Sequence, residues 1–301
     1  MAACRLTLLR VLPTPSAKTS AWRHCIEVAC KRAGWSYYDY WGGEPPVIDG
    51  GNAVIMGATS EALPYDFDHH VVLSCSPDDV VDFLQAGPPE RSLDDARYHA
   101  AAYLAVAANQ LDRGAIQVHQ TQTWCELPGL GRVDGPADAG PIPAQGLADD
   151  LSLYADVPLK PGVTQQWSPD ILTYHGADLV VGEEARISLI GRRRLLLNGP
   201  NIALPPGEWT VRTRLTILED CRPELLIEWG YQTSVASLTH RFEEPGTYEI
   251  ELTFVWSEVA PADFRISLMT SMLHGEMSLA PLEIRKGSDT PFAETADHAL
   301  T

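Results

Sequence analysis

An α/β domain followed by an all-β sandwich or jelly roll is the fold class this chain predicts, from three observations. Strand-like and helix-like segments alternate through residues 1–126. Short alternating strands separated by turns fill residues 150–286. Between them, residues 127–149 are rich in Gly, Pro, Ala and Asp, the composition of an interdomain linker. The polar stretch 287–301 is expected to fray.

In the first half, residues 5–12 form a buried-strand pattern. Ser20 is a candidate N-cap for a helix whose apolar stripe is Trp22, Cys25, Ile26, Ala29 and Ala33, stopped by Gly34. Short strands are expected at 37–41, 53–56 and 70–74, with Gly/Pro punctuation between the first two. Ser76-Pro77-Asp78-Asp79 then supplies a cap hydroxyl, a proline at the first helical position and two carboxylates that complement the helix dipole. Ser92 caps a second helix by the same logic. Its stripe of Ala96, Ala100, Leu104, Ala107 and Leu111 is small enough to pack close. Ile116 and Val118 mark a strand leading toward Trp124. Strand–helix–strand alternation implies a mostly parallel sheet with flanking helices.

In the second half, strands are expected at 170–174, 179–181, 185–190, 194–197, 209–218, 224–231, 235–242, 247–256, 264–270 and 277–284. Two long ones carry the clearest pattern. Trp209, Val211, Leu215 and Ile217 face one way, opposite Thr210, Arg212, Arg214 and Thr216. Tyr248, Ile250, Leu252, Phe254 and Trp256 share a face, opposite Glu249, Glu251 and Thr253. Side chains alternate across a strand, so each strand has one face in a core and one in water.

The chain has 301 residues, with 22 Lys+Arg against 40 Asp+Glu and a formal charge of -18. So acidic a surface repels phosphate backbones, which argues against nucleic-acid partners, and solubility is its simplest role. The six cysteines (Cys4, Cys25, Cys30, Cys75, Cys125, Cys221) show no zinc-finger spacing. No apolar run reaches transmembrane or signal-peptide length, so a bacterial-type cytoplasm with reduced thiols is the expected location. Gly-x-Ser-x-Gly, Gly-x-Gly-x-x-Gly and Gly-Lys-Ser/Thr signatures do not occur, which weighs against common hydrolases, dinucleotide enzymes and ATPases.

Leu-Pro-Pro-Gly-Glu-Trp-Thr-Val-Arg-Thr-Arg-Leu (204–215), Glu-Leu-Leu-Ile-Glu-Trp-Gly (224–230) and Phe-Glu-Glu-Pro-Gly-Thr-Tyr-Glu-Ile-Glu-Leu (242–252) are followed by closing strands at 264–269 and 281–285. This order resembles the β-sandwich of carbohydrate-binding modules, in which a Gly-x-Tyr/Trp turn opens a strand. It is also similar to sandwich domains appended to bacterial polysaccharide-assembly proteins and glycosyltransferases. The resemblance implies a carbohydrate ligand.

Trp167, Tyr174 and His175 lie in less regular sequence and are the candidates for an exposed sugar platform; Trp209, Trp229 and Trp256 are assigned to the core. Arg212 and Arg214, on the polar face of their strand, would bind an acidic sugar or phosphate through forked guanidinium bonds. Asp66 and Asp68 resemble the Asp-x-Asp motif of glycosyltransferases, where carboxylates hold a divalent metal against a nucleotide-sugar diphosphate. His70 is a candidate third ligand, although loop residues at a strand entrance are the plainer account. Cys75 precedes a helix N-terminus, which would activate a thiol, but its neighbours Asp78 and Asp79 oppose that.

The leading expectation is therefore a carbohydrate-recognition or accessory protein of bacterial polysaccharide synthesis or modification. The alternatives are a metal-dependent glycosyltransferase-like enzyme using Asp66 and Asp68, and an assembly module docking a protein partner or a second copy.

Overall fold

A computed structural model describes residues 7–48, 50–57, 63–137, 146, 149–176, 179–181 and 184–287. The expected frayed tail from 288 onward and much of the expected linker lie outside these residues. In chain order the first half contains strand β1 (Leu8–Pro13), helix α1 (Ala17–Ala33), strands β2 (Ser36–Asp39), β3 (Ala53–Met56) and β4 (His69–Ser74), helices α2 (Pro77–Ala86) and α3 (Leu93–Asp112), and strand β5 (Ile116–His119). Every pairing among these strands is parallel, in the order β2-β3-β1-β4-β5. The α/β expectation holds.

One helix start differs. Ser16, not Ser20, caps α1: its Oγ accepts the Thr19 amide at 3.0 Å, and Thr19 reciprocates toward the Ser16 backbone. This reciprocal box satisfies two end donors, and Ser20, one turn later, instead donates its hydroxyl to the Ser16 carbonyl. Ser76 and Ser92 cap α2 and α3 as expected.

Strands β6 (Trp124–Leu127) and β7 (Gly131–Asp134) form an antiparallel hairpin. Cys125, Leu127 and Val133 bury against Trp22, Ile26 and Cys30 of α1, so the opening of the stretch expected as linker is part of the α/β core. The turn needs left-handed backbone, and Gly129 and Gly131 supply it with φ of 73° and 82°.

The second half contains β8 (Thr164–Trp167), β9 (Thr173–Tyr174), β10 (Leu179–Val181), β11 (Glu184–Ser188), β12 (Arg194–Asn198), β13 (Pro200–Leu204), β14 (Gly207–Ile217), β15 (Glu224–Tyr231), β16 (Ser234–Arg241), β17 (Gly246–Trp256), β18 (Ala260–Leu268), β19 (Glu276–Leu279) and β20 (Leu282–Lys286). They form two sheets. One runs β10-β11-β19-β14-β20-β8, with β17 also paired to β14; the other runs β16-β15-β18-β12-β9, with β13 also paired to β18. The inner faces meet in a core that fully buries Trp167, Trp209, Trp229 and Trp256. Three of these indoles form a packed series, Trp167–Trp229 at 6.2 Å and Trp229–Trp256 at 5.1 Å between centroids. The Trp209 and Trp229 N–H groups donate to the Pro205 and Trp209 carbonyls, so their burial leaves no donor unpaired.

The stretch expected as one strand at 277–284 is two. β14 pairs with β19 along Leu215–Ile217 and with β20 along Trp209–Arg212, and the break falls at Ala280-Pro281, where proline offers no amide to the ladder.

The two halves share a core. Ala100, Ala101, Leu104 and Ala105 of α3 belong to one buried cluster with Ile202, Leu204 and Trp209 of the sandwich. On its other side α3 packs Ala107 and Leu111 against Leu12 and Val72 of the parallel sheet. The small side chains let both layers approach. A polar clamp adds to this: Lys286, 2% exposed, reaches Asp112 Oδ2 at 2.8 Å and the Leu159 carbonyl at 3.0 Å.

Candidate functional site

The outward face of β8, β14, β17 and β20 carries a groove of about 330 Å³. Register builds it. Arg212 pairs across with Glu251 of β17 and Glu283 of β20, and Arg214 with Glu249 of β17. Gln166 of β8 stands opposite Glu283, and its amide donates to Glu283 Oε2 at 3.3 Å. The floor is the break between β19 and β20: the Thr213 hydroxyl donates to the Ala280 carbonyl at 2.9 Å, beside Pro281.

On this face three carboxylates, Glu249, Glu251 and Glu283, surround the two guanidinium groups. The Arg212 guanidinium bonds the Glu249 carboxylate diagonally, not its directly opposite partner. Arg214 makes no ion pair with the described residues and is exposed. The groove therefore presents guanidinium donors beside carboxylate acceptors, an arrangement that suits a polyhydroxylated, uncharged ligand better than an anion.

The aromatic candidates do not join this site. Trp167, expected to be exposed, is completely buried, with its N–H donated to the Asp150 carbonyl at 3.1 Å. Its strand alternates, and Trp167 takes the inward face. Tyr174 is half-buried and donates its hydroxyl to the Pro169 carbonyl at 2.7 Å. His175 is exposed, with Nε2 2.7 Å from Asn198 Oδ1. Both belong to the edge of the second sheet, where β9 pairs β12, and not to the sheet that bears Arg212 and Arg214.

Among the described residues no group of three or more His, Cys, Asp and Glu side chains is arranged to hold a metal ion. Asp66, Asp68 and His70, expected as metal ligands, do not form such a group. Asp68 Oδ2 accepts the Leu8 amide at 2.9 Å, tying it to the start of β1. His70 is the register partner of Arg10 on the neighbouring strand and lies close to Arg113, at the C-terminal cap of α3. Two guanidinium groups oppose a cation there.

Cys75 is not poised as a nucleophile. It is buried, and its pKa is pushed up to about 11, chiefly by that burial, with the Asp79 charge adding to it and hydrogen bonds from Thr14 and Ser16 opposing it. Asp79 itself accepts from the Ser76 hydroxyl at 2.7 Å and from the Gln120 amide.

No family model matches the chain, and no curated protein matches it. Among solved structures it is similar to a xylan-binding carbohydrate-binding module from Paenibacillus barcinonensis, at 8% identity and a TM-score of 0.33, covering 44% of this chain and 99% of that one. It is similar to a carbohydrate-binding module of a laminarinase from Zobellia galactanivorans, at 14% identity and a TM-score of 0.30, covering 41% of this chain and all of that one (100%). A glycosylation-associated protein complex from Streptococcus agalactiae is similar over 84% of this chain and 50% of that one, at 10% identity and a TM-score of 0.30. The sandwich half of this chain is shown by its own two antiparallel sheets and the tryptophan-rich core between them.

Proposed function

We propose that this protein recognises carbohydrate through the outward groove of β8, β14, β17 and β20, as an accessory of bacterial polysaccharide synthesis or modification in the cytoplasm. The observation that carries the reading is the convergence of Gln166, Arg212, Arg214, Glu249 and Glu283 from four strands around one open groove. Paired donors and acceptors at strand spacing match the vicinal hydroxyls of a sugar, and the glutamates beside the arginines favour a neutral oligosaccharide over an acidic one. Among the described residues no helix is long and apolar enough to cross a membrane.

The test is a thermal shift of the full chain against neutral and acidic oligosaccharides, since a ligand that binds only the folded state raises its melting temperature. Neutral oligosaccharides should give the larger shift, and Arg214→Ala should remove it. Silence across a broad glycan array sinks the reading.

A second reading, docking of a protein partner or a second copy, has one observation in its favour. Ile190, Leu218 and Leu273 are 57%, 42% and 94% exposed on loops linked by backbone hydrogen bonds at one end of the sandwich. Light scattering that shows only monomer at high concentration, unchanged by Leu273→Glu, removes the self-association form of this reading.

A further inference from the structure

The parallel sheet is doubly wound, and its winding marks a place for a ligand. From β1 the chain passes through α1 to β2 on one side; from β4 it passes through α2 and α3 to β5 on the other. The helices cover opposite faces. α1 packs on the face of Leu9 and Val11, α3 on that of Leu12 and Val72, and α2 joins α3 through Val80 and Leu84. Chain paths that part in this way leave a crevice at the carboxyl ends of the strands, where ligands of open α/β sheets bind.

A cavity of about 360 Å³ lies at that end of β1. Pro13, the last residue of β1, and Pro15 of the loop after it line the cavity, together with Trp41, Phe83, Pro88 and Tyr103. The volume is at the small end of the range for small-molecule sites, and a mainly apolar and aromatic lining is typical of them.

Two of these rings stand in water. Trp41 is 52% exposed and Phe83 39% exposed. Val80, Val81 and Leu84 take the buried face of α2, which leaves Phe83 outside, and Trp41 comes from the loop after β2. Single exposed rings are ordinary, but two from distant segments around one cavity are not. Trp41 is also held in place. The Arg23 guanidinium lies 4.9 Å from its ring centroid, and Arg23 donates to Asp39 Oδ2 at 2.8 Å. A platform fixed in advance lowers the ordering cost of binding.

The polar groups around the cavity are already engaged. The Thr19 hydroxyl donates to the Thr14 carbonyl, and the Ser20 hydroxyl to the Ser16 carbonyl. Arg91 donates to the Leu84 carbonyl at 3.2 Å and pairs with Asp95 at 3.4 Å, as Arg23 pairs with Asp39. Both lining arginines therefore hold a carboxylate. Ring faces, not free donors and acceptors, are what this cavity offers. That suits a flat, uncharged ring better than a sugar or an anion, whose polar groups would go unmatched.

We infer that the cavity at the carboxyl end of β1 binds a small uncharged molecule bearing a flat ring, packed against Trp41 and Phe83. This site is separate from the sugar groove and stands or falls without it.

The test is a saturation-transfer NMR titration of the full chain with indole and with adenine as separate probes, beside cyclohexylmethanol and maltotriose. At least one flat ring should bind more tightly than either of the other two. Trp41→Ala should weaken it by about 3-fold to 10-fold, the scale of a lost aromatic contact, and Trp41→Phe by less. Phe83→Ala should also weaken it, and Arg214→Ala should leave it unchanged. Indole alone assigns an apolar ring, adenine alone a nitrogen heterocycle, and both a site that reads flatness only. Trp41 is half exposed, so its variants should melt near the parent, and a matching melting curve establishes that they are folded. The inference is overturned if neither ring binds, if Trp41→Ala binds as tightly as the parent, or if cyclohexylmethanol or maltotriose binds as well as the rings.

Discussion

Two regions of this molecule present a pair of arginines, and they differ in how the fold brings the pair together. On the outward face of the sandwich, Arg212 and Arg214 stand in a ladder with Glu249, Glu251 and Glu283, and Arg212 is bonded to Glu249. In the cleft between the halves, Arg10 and Arg113 line a cavity with the half-buried His70, and Arg113, like Arg214 on the outward face, makes no ion pair among the described residues. Counting cations would assign both places the same ligand. The outward pair stands among three glutamates and the cleft pair beside Asp68 and Glu258, and the potential at each place is a sum over everything near it.

The largest break in this comparison should come from Lys286. Its ammonium is buried where the sandwich meets Asp112, next to Arg113. Lys286→Ala leaves Asp112 without that partner and should lower unfolding stability by about 3 kcal/mol, the low end for a broken buried pair because Asp112 is partly solvated. Denaturant titration reads that loss. Oligosaccharide binding at the outward groove should persist in the folded variant, because Lys286 lies outside the groove lining.

Glu249→Gln should sharpen the contrast by removing it. Released from its carboxylate, Arg212 joins Arg214 as a second unpaired cation, and the groove should acquire weak, salt-sensitive affinity for acidic oligosaccharides that the parent lacks. Titration with one acidic oligosaccharide at two salt concentrations checks this. No gain would mean that Glu251 or Glu283 takes over.

A smaller effect is expected from Arg212→Ala on stability. Both partners of its ion pair are 51% exposed in their side chains, so the change should be about 0.5 kcal/mol at most. A loss several times larger would mean that the pair organises the sheet as well as its surface.

The last effect concerns pH. Cys30, Cys75 and Cys125 are buried, and burial pushes each thiol up to about 11. The unfolded chain ionises these thiols at lower pH than the folded one does, so their contribution to stability is intact below about pH 9 and is lost as pH rises toward 11. Melting curves across that interval should decline, and replacing Cys30 with Ala should flatten the decline. At pH 8 Cys75 should resist alkylation until the protein unfolds.

Much of this architecture was legible in residue order. Ser76-Pro77 and Ser92 announced their helices, and the alternation through Trp209–Ile217 and Tyr248–Trp256 announced strands with one buried face. Trp167 was misplaced for a physical reason. Its inward neighbour on β8 is Gln165, a buried amide that binds the Leu153 amide at 2.8 Å and the Asp149 carbonyl, so the inner face does not look apolar. β13 was hidden behind the Gly199-Pro200 turn signal, although it pairs with β18. The hairpin β6–β7 was hidden by its glycines, which serve its turn and not a flexible link.

Alternation is a local property, written in every second residue, so the chain by itself determined which side of each long strand is wet and hence that Arg212 and Arg214 face solvent. Neutralisation is not local. Whether an arginine meets a carboxylate depends on the register between β14 and β17, and on α3 bringing Arg113 beside Arg10 from a distant part of the chain. The apolar packing of α3 between the two layers sets that meeting. Only the tertiary structure could decide it, because Coulomb energy follows distance in space and not separation along the sequence.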